Sequence, residues 1–73
     1  MKLSIRELKK IKAALPTGSY DEIAKRASVG IATVKGSLTN PDRFNAGVIK
    51  TALEIIEEQK EMLEALKNKI KDL

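Results

Sequence analysis

The sequence predicts an all-α domain of four helices, the last of them long. Three observations lead there. Apolar residues recur at three- and four-residue steps in every patterned stretch, which is the period of a helix with one buried face. Serine followed three residues later by glutamate, the signature of a helix start, occurs at Ser4/Glu7 and Ser19/Glu22. Pro16, Gly18, Gly30 and the Asn40-Pro41 pair punctuate the pattern where helices should end or begin.

At 73 residues the chain can bury one modest core, so residues 1–73 are read as a single domain. It has no cysteine and no histidine. Disulfide frameworks, zinc fingers and the usual nucleophile–base pairs are therefore excluded, no cofactor or metal is expected, and a reducing cytoplasm suits the chain. The start MKLSIRELKK lacks the apolar run of a signal peptide, and no stretch reaches the 18 or more apolar residues of a membrane helix. No membrane partner is expected.

The net charge of +4 conceals an asymmetry. Residues 1–50 hold ten Lys or Arg against four acids, net +6, whereas residues 51–73 hold four against six, net −2. A basic half of this kind attracts a phosphate backbone with salt-dependent affinity, although any single lysine can simply solvate a helix.

Ser4 to Leu15 reads as the first helix, with Ile5, Leu8, Ile11 and Leu15 as its apolar stripe. Lys9, Lys10 and Lys12 fall off that stripe and are read as solvated. Pro16 ends the helix and Thr17-Gly18 turn the chain towards the next one.

Residues 19–40 read as two short helices joined by a tight turn. Ser19 and Glu22 make a capping box; Ile23, Ala24 and Ala27 face inward, with Ala24 small enough for a close crossing. Val29 plugs the turn, Gly30 opens the second helix, and Val34 and Leu38 form its buried stripe. Ile31, Ala32, Lys35, Gly36 and Thr39 are left facing outward.

The pattern of Ala24, Val29, the Thr33-Val34 pair, Leu38 and the trailing Asn40 resembles the helix-turn-helix of the lambda-repressor and Cro-like family. The match is close over about twenty residues and loose over the rest. Two departures stand out: Ser28 occupies a position that is usually glycine, and Gly30 one that is often a serine cap. Ser28 must then supply a turn that favours φ > 0.

The resemblance implies double-stranded DNA as the partner, with residues of about 30–39 forming a recognition helix in the major groove. Lys35 would donate to guanine O6 and N7, Ile31 and Ala32 would meet thymine methyls, and Gly36 would let the helix sit deep. Gly36 has no side chain where related repressors carry a long polar reader, and it weakens the helix by about 1 kcal/mol relative to alanine. Close approach to DNA, close packing against a neighbouring helix and mere tolerance all account for it. The unusual reading face suits a natural domain or a scaffold whose recognition surface has been engineered.

Phosphate contacts are expected at Ser19 and Tyr20, where the second helix presents its N-terminus, at Thr33, Thr39 and Asn40, and at Arg43 and Asn45. Tyr20 reads equally well as an aromatic closing the core. Arg43 can take a phosphate bidentately, Phe44 is expected to plug the core, and Asn45 to cap the last helix.

That helix is predicted over about 45–72. Val48, Ile49, Ala52, Leu53 and Ile56 are assigned to the core. Ile56, Gln59, Leu63, Leu66, Ile70 and Leu73 continue as a short heptad seam. The seam is expected to fold against the first helix, with a homodimer as the alternative and a protein-interaction module as the rival function. Catalysis fails on inventory, and no small-molecule substrate is expected: there is no His or Cys, and no glycine-rich strand-to-helix loop for a nucleotide.

Overall fold

The computed structural model describes residues 3–73, in which four α-helices follow one another: α1 (Ile5–Ala14), α2 (Ser19–Ala27), α3 (Ile31–Thr39) and α4 (Ala46–Lys71). A single 3-10 turn, Pro41–Arg43, links α3 to α4. Among the described residues no helix is long and apolar enough to cross a membrane.

Local chemistry sets most boundaries. Ser4 caps α1 through a complete capping box, its hydroxyl accepting from the Glu7 amide at 3.2 Å while Glu7 Oε1 accepts from the Ser4 amide at 2.9 Å. Those bonds hold the Glu7 carboxyl below its usual range, the Ser4 amide being the larger cause. Asn45 caps α4 by accepting from the Val48 amide at 3.2 Å. Asn40 ends α3, and its Oδ1 accepts from the Asp42 amide at 2.9 Å to start the 3-10 turn.

α2 starts differently from the sequence expectation. Gly18, in the left-handed region at φ 82°, is the N-cap, and no side chain caps the helix. Ser19 is already helical and buried, and its hydroxyl donates to the Pro16 carbonyl at 2.5 Å. The Pro16-Thr17-Gly18 turn thus draws Ser19 inward, which overturns its capping box; Glu22 turns instead to Arg26.

The core is built from Leu8 and Ile11 of α1, Ile23 of α2, Val34 and Leu38 of α3, and Val48, Ile49, Ala52 and Ile55 of α4. Full burial of each Leu, Ile or Val side chain contributes about 1.5–3 kcal/mol. α2 lies against α3 and α4, and α1 also packs on α3, so α3 is held from behind. Tyr20, Ala24, Ala27 and Val29 close the edges of this core.

Several expected core positions fall outside it. Ile5 is exposed, because it sits in the first turn of α1 beyond the reach of the other helices. Phe44 is 41% exposed and Leu53 47% exposed, while Ile55, absent from the expected set, is buried. Ile55 lies one helical turn past Ala52 and Thr51, on the side that α2 covers, and Leu53 is turned away by 100° from each neighbour in sequence.

The seam does not fold back on α1. Met62, Leu63, Leu66, Ile70 and Leu73 are all exposed, and Gln59 is the last residue of α4 with partial burial. The body is only three short helices deep, so a 26-residue helix of about 39 Å outruns it. The overhang stretches the molecule to 48 × 25 × 18 Å and its radius of gyration to 14.0 Å, against about 11 Å for a compact chain of this length.

Candidate nucleic-acid interface

α3 separates its residues cleanly. Val34, Ser37 and Leu38 are buried, whereas Ile31, Ala32, Thr33, Lys35 and Thr39 are exposed and Gly36 is half-buried. A 3.6-residue period puts Ala32, Lys35, Gly36 and Thr39 on one outward face with Ile31 at its leading edge. Of the residues expected to meet bases, Ile31, Ala32, Lys35 and Gly36 are therefore together on one surface.

The turn before α3 rests on Ser28, which adopts φ 57° and ψ 45°, the left-handed region for which glycine is the cheaper residue. Its amide and that of Val29 close the end of α2 by donating to the Lys25 and Ala24 carbonyls at 3.3 and 3.1 Å. Gly30 then enters α3 with ordinary extended geometry, φ −74°, so the freedom expected of it is needed two residues earlier, at Ser28. No side chain caps α3, and its Thr33 and Val34 amides both donate to the Gly30 carbonyl.

The expected phosphate contacts fall into three groups. Thr33, Thr39, Asn40 and Arg43 are exposed on or just after α3. Thr39 Oγ1 donates to the Lys35 carbonyl at 2.7 Å, which leaves its lone pairs, not its proton, for another partner. Tyr20 and Asn45 are half-buried, Tyr20 against the core and Asn45 with its side chain engaged as a cap. Ser19 is 6% exposed, and both its hydroxyl and its amide point to the Pro16 carbonyl.

Two features of this surface were not legible in the sequence. Ser37, 2% exposed, donates its hydroxyl to the Arg43 carbonyl at 3.0 Å and so pins the loop to α3. A Cβ on Gly36 would stand 3.1 Å from Arg43 Cδ and 3.4 Å from its Nη1, so the Arg43 side chain lies across the helix at Gly36. Gly36 thus lies beneath a side chain from the turn that follows α3, and no neighbouring long helix comes within 4 Å of where its Cβ would stand.

A groove of about 610 Å³ runs along α4, lined by Phe44, Ala46, Ile49, Lys50, Leu53, Glu54, Glu57 and Glu58. It contains none of the expected contact residues, and its acidic rim opposes a phosphate backbone. Among the described residues there is no cluster of Asp, Glu, His or Cys that could hold a metal ion.

Comparison with family models, with curated proteins and with solved structures gives no match to this chain.

Proposed function

We propose that this domain binds double-stranded DNA in a sequence-specific manner, with α3 in the major groove, and that it acts by binding and not by catalysis. The observation that carries the reading is the division of α3. Its inner side is locked into the core by Val34, Ser37 and Leu38, and its outer side offers Ile31, Ala32, Lys35, Gly36 and Thr39 to a partner. A major groove about 12 Å wide admits one helix presented in this way. The half of the chain bearing α3 is also the half with net charge +6. Lys35 serves as donor to guanine, Ile31 and Ala32 as contacts for thymine methyls, and the exposed Thr33, Thr39 and Asn40 as neighbours of the backbone. The resemblance of residues 19–40 to repressor helix-turn-helix motifs supports the same assignment.

The overhang of α4 favours a second, compatible role: association with another copy. Its exposed Leu63, Leu66, Ile70 and Leu73 repeat at heptad spacing. Along the helix, Glu54, Glu57, Glu58, Glu61 and Glu64, with Lys60 among them, precede Lys67, Lys69 and Lys71, which Asp72 follows, so acids predominate before position 65 and bases after it. An antiparallel second copy sets these unlike charges side by side, and a parallel one sets like against like. Two-fold pairing of this kind suits a palindromic DNA site.

The test is selection of bound duplexes from a randomised pool at low and near-physiological salt. A short motif that persists at the higher salt, and is lost in Lys35→Glu with helicity intact, is the expected result; its symmetry reports one copy or two. Retention without a motif reduces the surface to a basic patch. No retention at either salt transfers the function to α4.

A further inference from the structure

We propose that Arg43, which lies outside α3, supplies the long base-reading side chain that α3 lacks, with Gly36 as the cradle over which it reaches a guanine. The proposal rests on the DNA-binding reading above and assigns within it a specificity residue in place of a phosphate contact.

The outward face of α3 is poor in donors. Ile31, Ala32 and Gly36 have none in their side chains, the Thr39 hydroxyl is committed to the Lys35 carbonyl, and Lys35 is a single point charge. Arg43 crosses this face at its emptiest point. Its Cδ and Nη1 come within 3.1 and 3.4 Å of where a side chain at position 36 would begin.

The base of the arginine is fixed on both sides. Its amide donates to the Asn40 carbonyl at 2.9 Å, and its carbonyl accepts from the buried Ser37 hydroxyl at 3.0 Å. The peptide is therefore tied to α3 and its C-cap by two bonds, and the side chain is left to reach across the helix. Its guanidinium takes part in no ion pair among the described residues, in contrast to Arg26.

A guanidinium presents a planar fork that fits guanine O6 and N7 bidentately, which an ammonium does not. Reading from the loop also explains the glycine. A side chain on position 36 would occupy the path of the arginine stem, so the helix accepts its poorest common residue there. A phosphate contact would need no such path, since phosphates flank the groove and the fork could approach from outside it.

The experiment repeats the duplex selection with Gly36→Ala, Arg43→Ala and Arg43→Lys, each checked for helicity and thermal unfolding. The wild type is expected to require G·C at one position of its motif. Arg43→Ala and Arg43→Lys should both relax that position by about 10- to 100-fold, the discrimination of one bidentate pair, and leave the other positions unchanged. Gly36→Ala should relax the same position while melting no earlier than wild type, because only the flexible arginine stem has to move.

A uniform loss of affinity in Arg43→Ala, restored by Arg43→Lys, with an unchanged motif and a salt slope lower by about one, would make Arg43 a phosphate contact and overturn the proposal. Relaxation at an A·T position in place of G·C would also overturn it, as would a Gly36→Ala motif identical to wild type. Absence of any motif in the wild type is a different failure, that of the DNA-binding reading itself.

Discussion

The Arg26 guanidinium clasps the Glu58 carboxylate, Nη1 to Oε2 at 2.8 Å and Nη2 to Oε1 at 2.9 Å, while its Nε donates to Glu22 at 2.7 Å. One arginine thus ties α2 to α4 across 32 residues of sequence. Glu58 immediately precedes the point where α4 leaves the body, so the clasp fastens the last supported turn of the long helix. Bidentate geometry gives such a pair more orientation than a lone lysine bridge would have.

This clasp gives stability a defined pH dependence. The hydrogen bonds from Arg26 lower the Glu58 pKa, and the Ser4 amide and hydroxyl lower that of Glu7. A carboxylate with a lower pKa in the folded state contributes stability above its unfolded pKa and loses that contribution as pH falls through the folded value. Thermal unfolding followed by circular dichroism should therefore weaken on acidification through the carboxylate range. Glu58→Gln should lower the melting temperature at neutral pH and flatten that acid limb, and about 0.5 M salt should shrink the difference between the two proteins, since the pair is solvent-exposed. Parallel acid limbs in both proteins would remove the clasp from the account.

A core this small leaves little reserve. Leu38 is fully buried on the inner side of α3, the helix against which α1, α2 and α4 all pack. Leu38→Ala should cost about 2–5 kcal/mol, the range for a buried leucine replaced by alanine. A domain of fewer than about 80 residues rarely has more than 3–5 kcal/mol in total, so the variant should be largely unfolded at 37 °C. Urea titration at 10 °C measures the loss, and a change below about 1 kcal/mol would mean that α3 is not anchored by this residue.

Much of this fold was legible because it is locally encoded. The Ser4/Glu7 box, the Asn45 cap, the stop at Pro16 and the left-handed Ser28 each depend on a few adjacent residues. What was not legible depends on how distant segments meet. Ile55, seven residues after Val48 and three after Ala52, is an exception: periodicity already places it inward and Leu53, about 200° round the helix, outward. Phe44 was expected inside on its hydrophobicity, but the 3-10 turn before it carries its ring to the groove along α4. For the candidate site, the outward face of α3 followed from Val34 and Leu38 alone. The placement of Arg43 over Gly36 did not, because it requires the loop to return to the helix that precedes it.

Ser28 offers a direct test of the turn. A non-glycine residue in the left-handed region carries about 1–2 kcal/mol of steric cost, from which the greater unfolded-state freedom of glycine must be subtracted. Ser28→Gly should therefore stabilise the domain by about 0.5–1 kcal/mol and leave its DNA motif unchanged, because position 28 precedes the reading face. A loss of stability in denaturant titration would show that the native turn is not strained at this residue.

The overhanging half of α4 makes the last prediction. Its apolar row continues the same helical face that buries Ala52 and Ile55, so the helix is patterned for a cover that its own body is too short to give. Leu63 and Leu66 stand near the middle of that row, and replacing either with glutamate removes apolar area from water-facing positions without touching the core. Leu63→Glu and Leu66→Glu should hence change the unfolding free energy of the isolated body by no more than about 0.5 kcal/mol. The same variants should abolish concentration-dependent association in sedimentation velocity, measured with and without DNA carrying the selected motif. A short seam with Gln59 at one of its inward positions makes a weak pair, so wild-type association should emerge in the upper micromolar range and tighten on a two-fold site, where the two copies are held at high effective concentration. A wild type that stays monomeric under all of these conditions would end the second-copy reading and leave α3 to bind a single half-site.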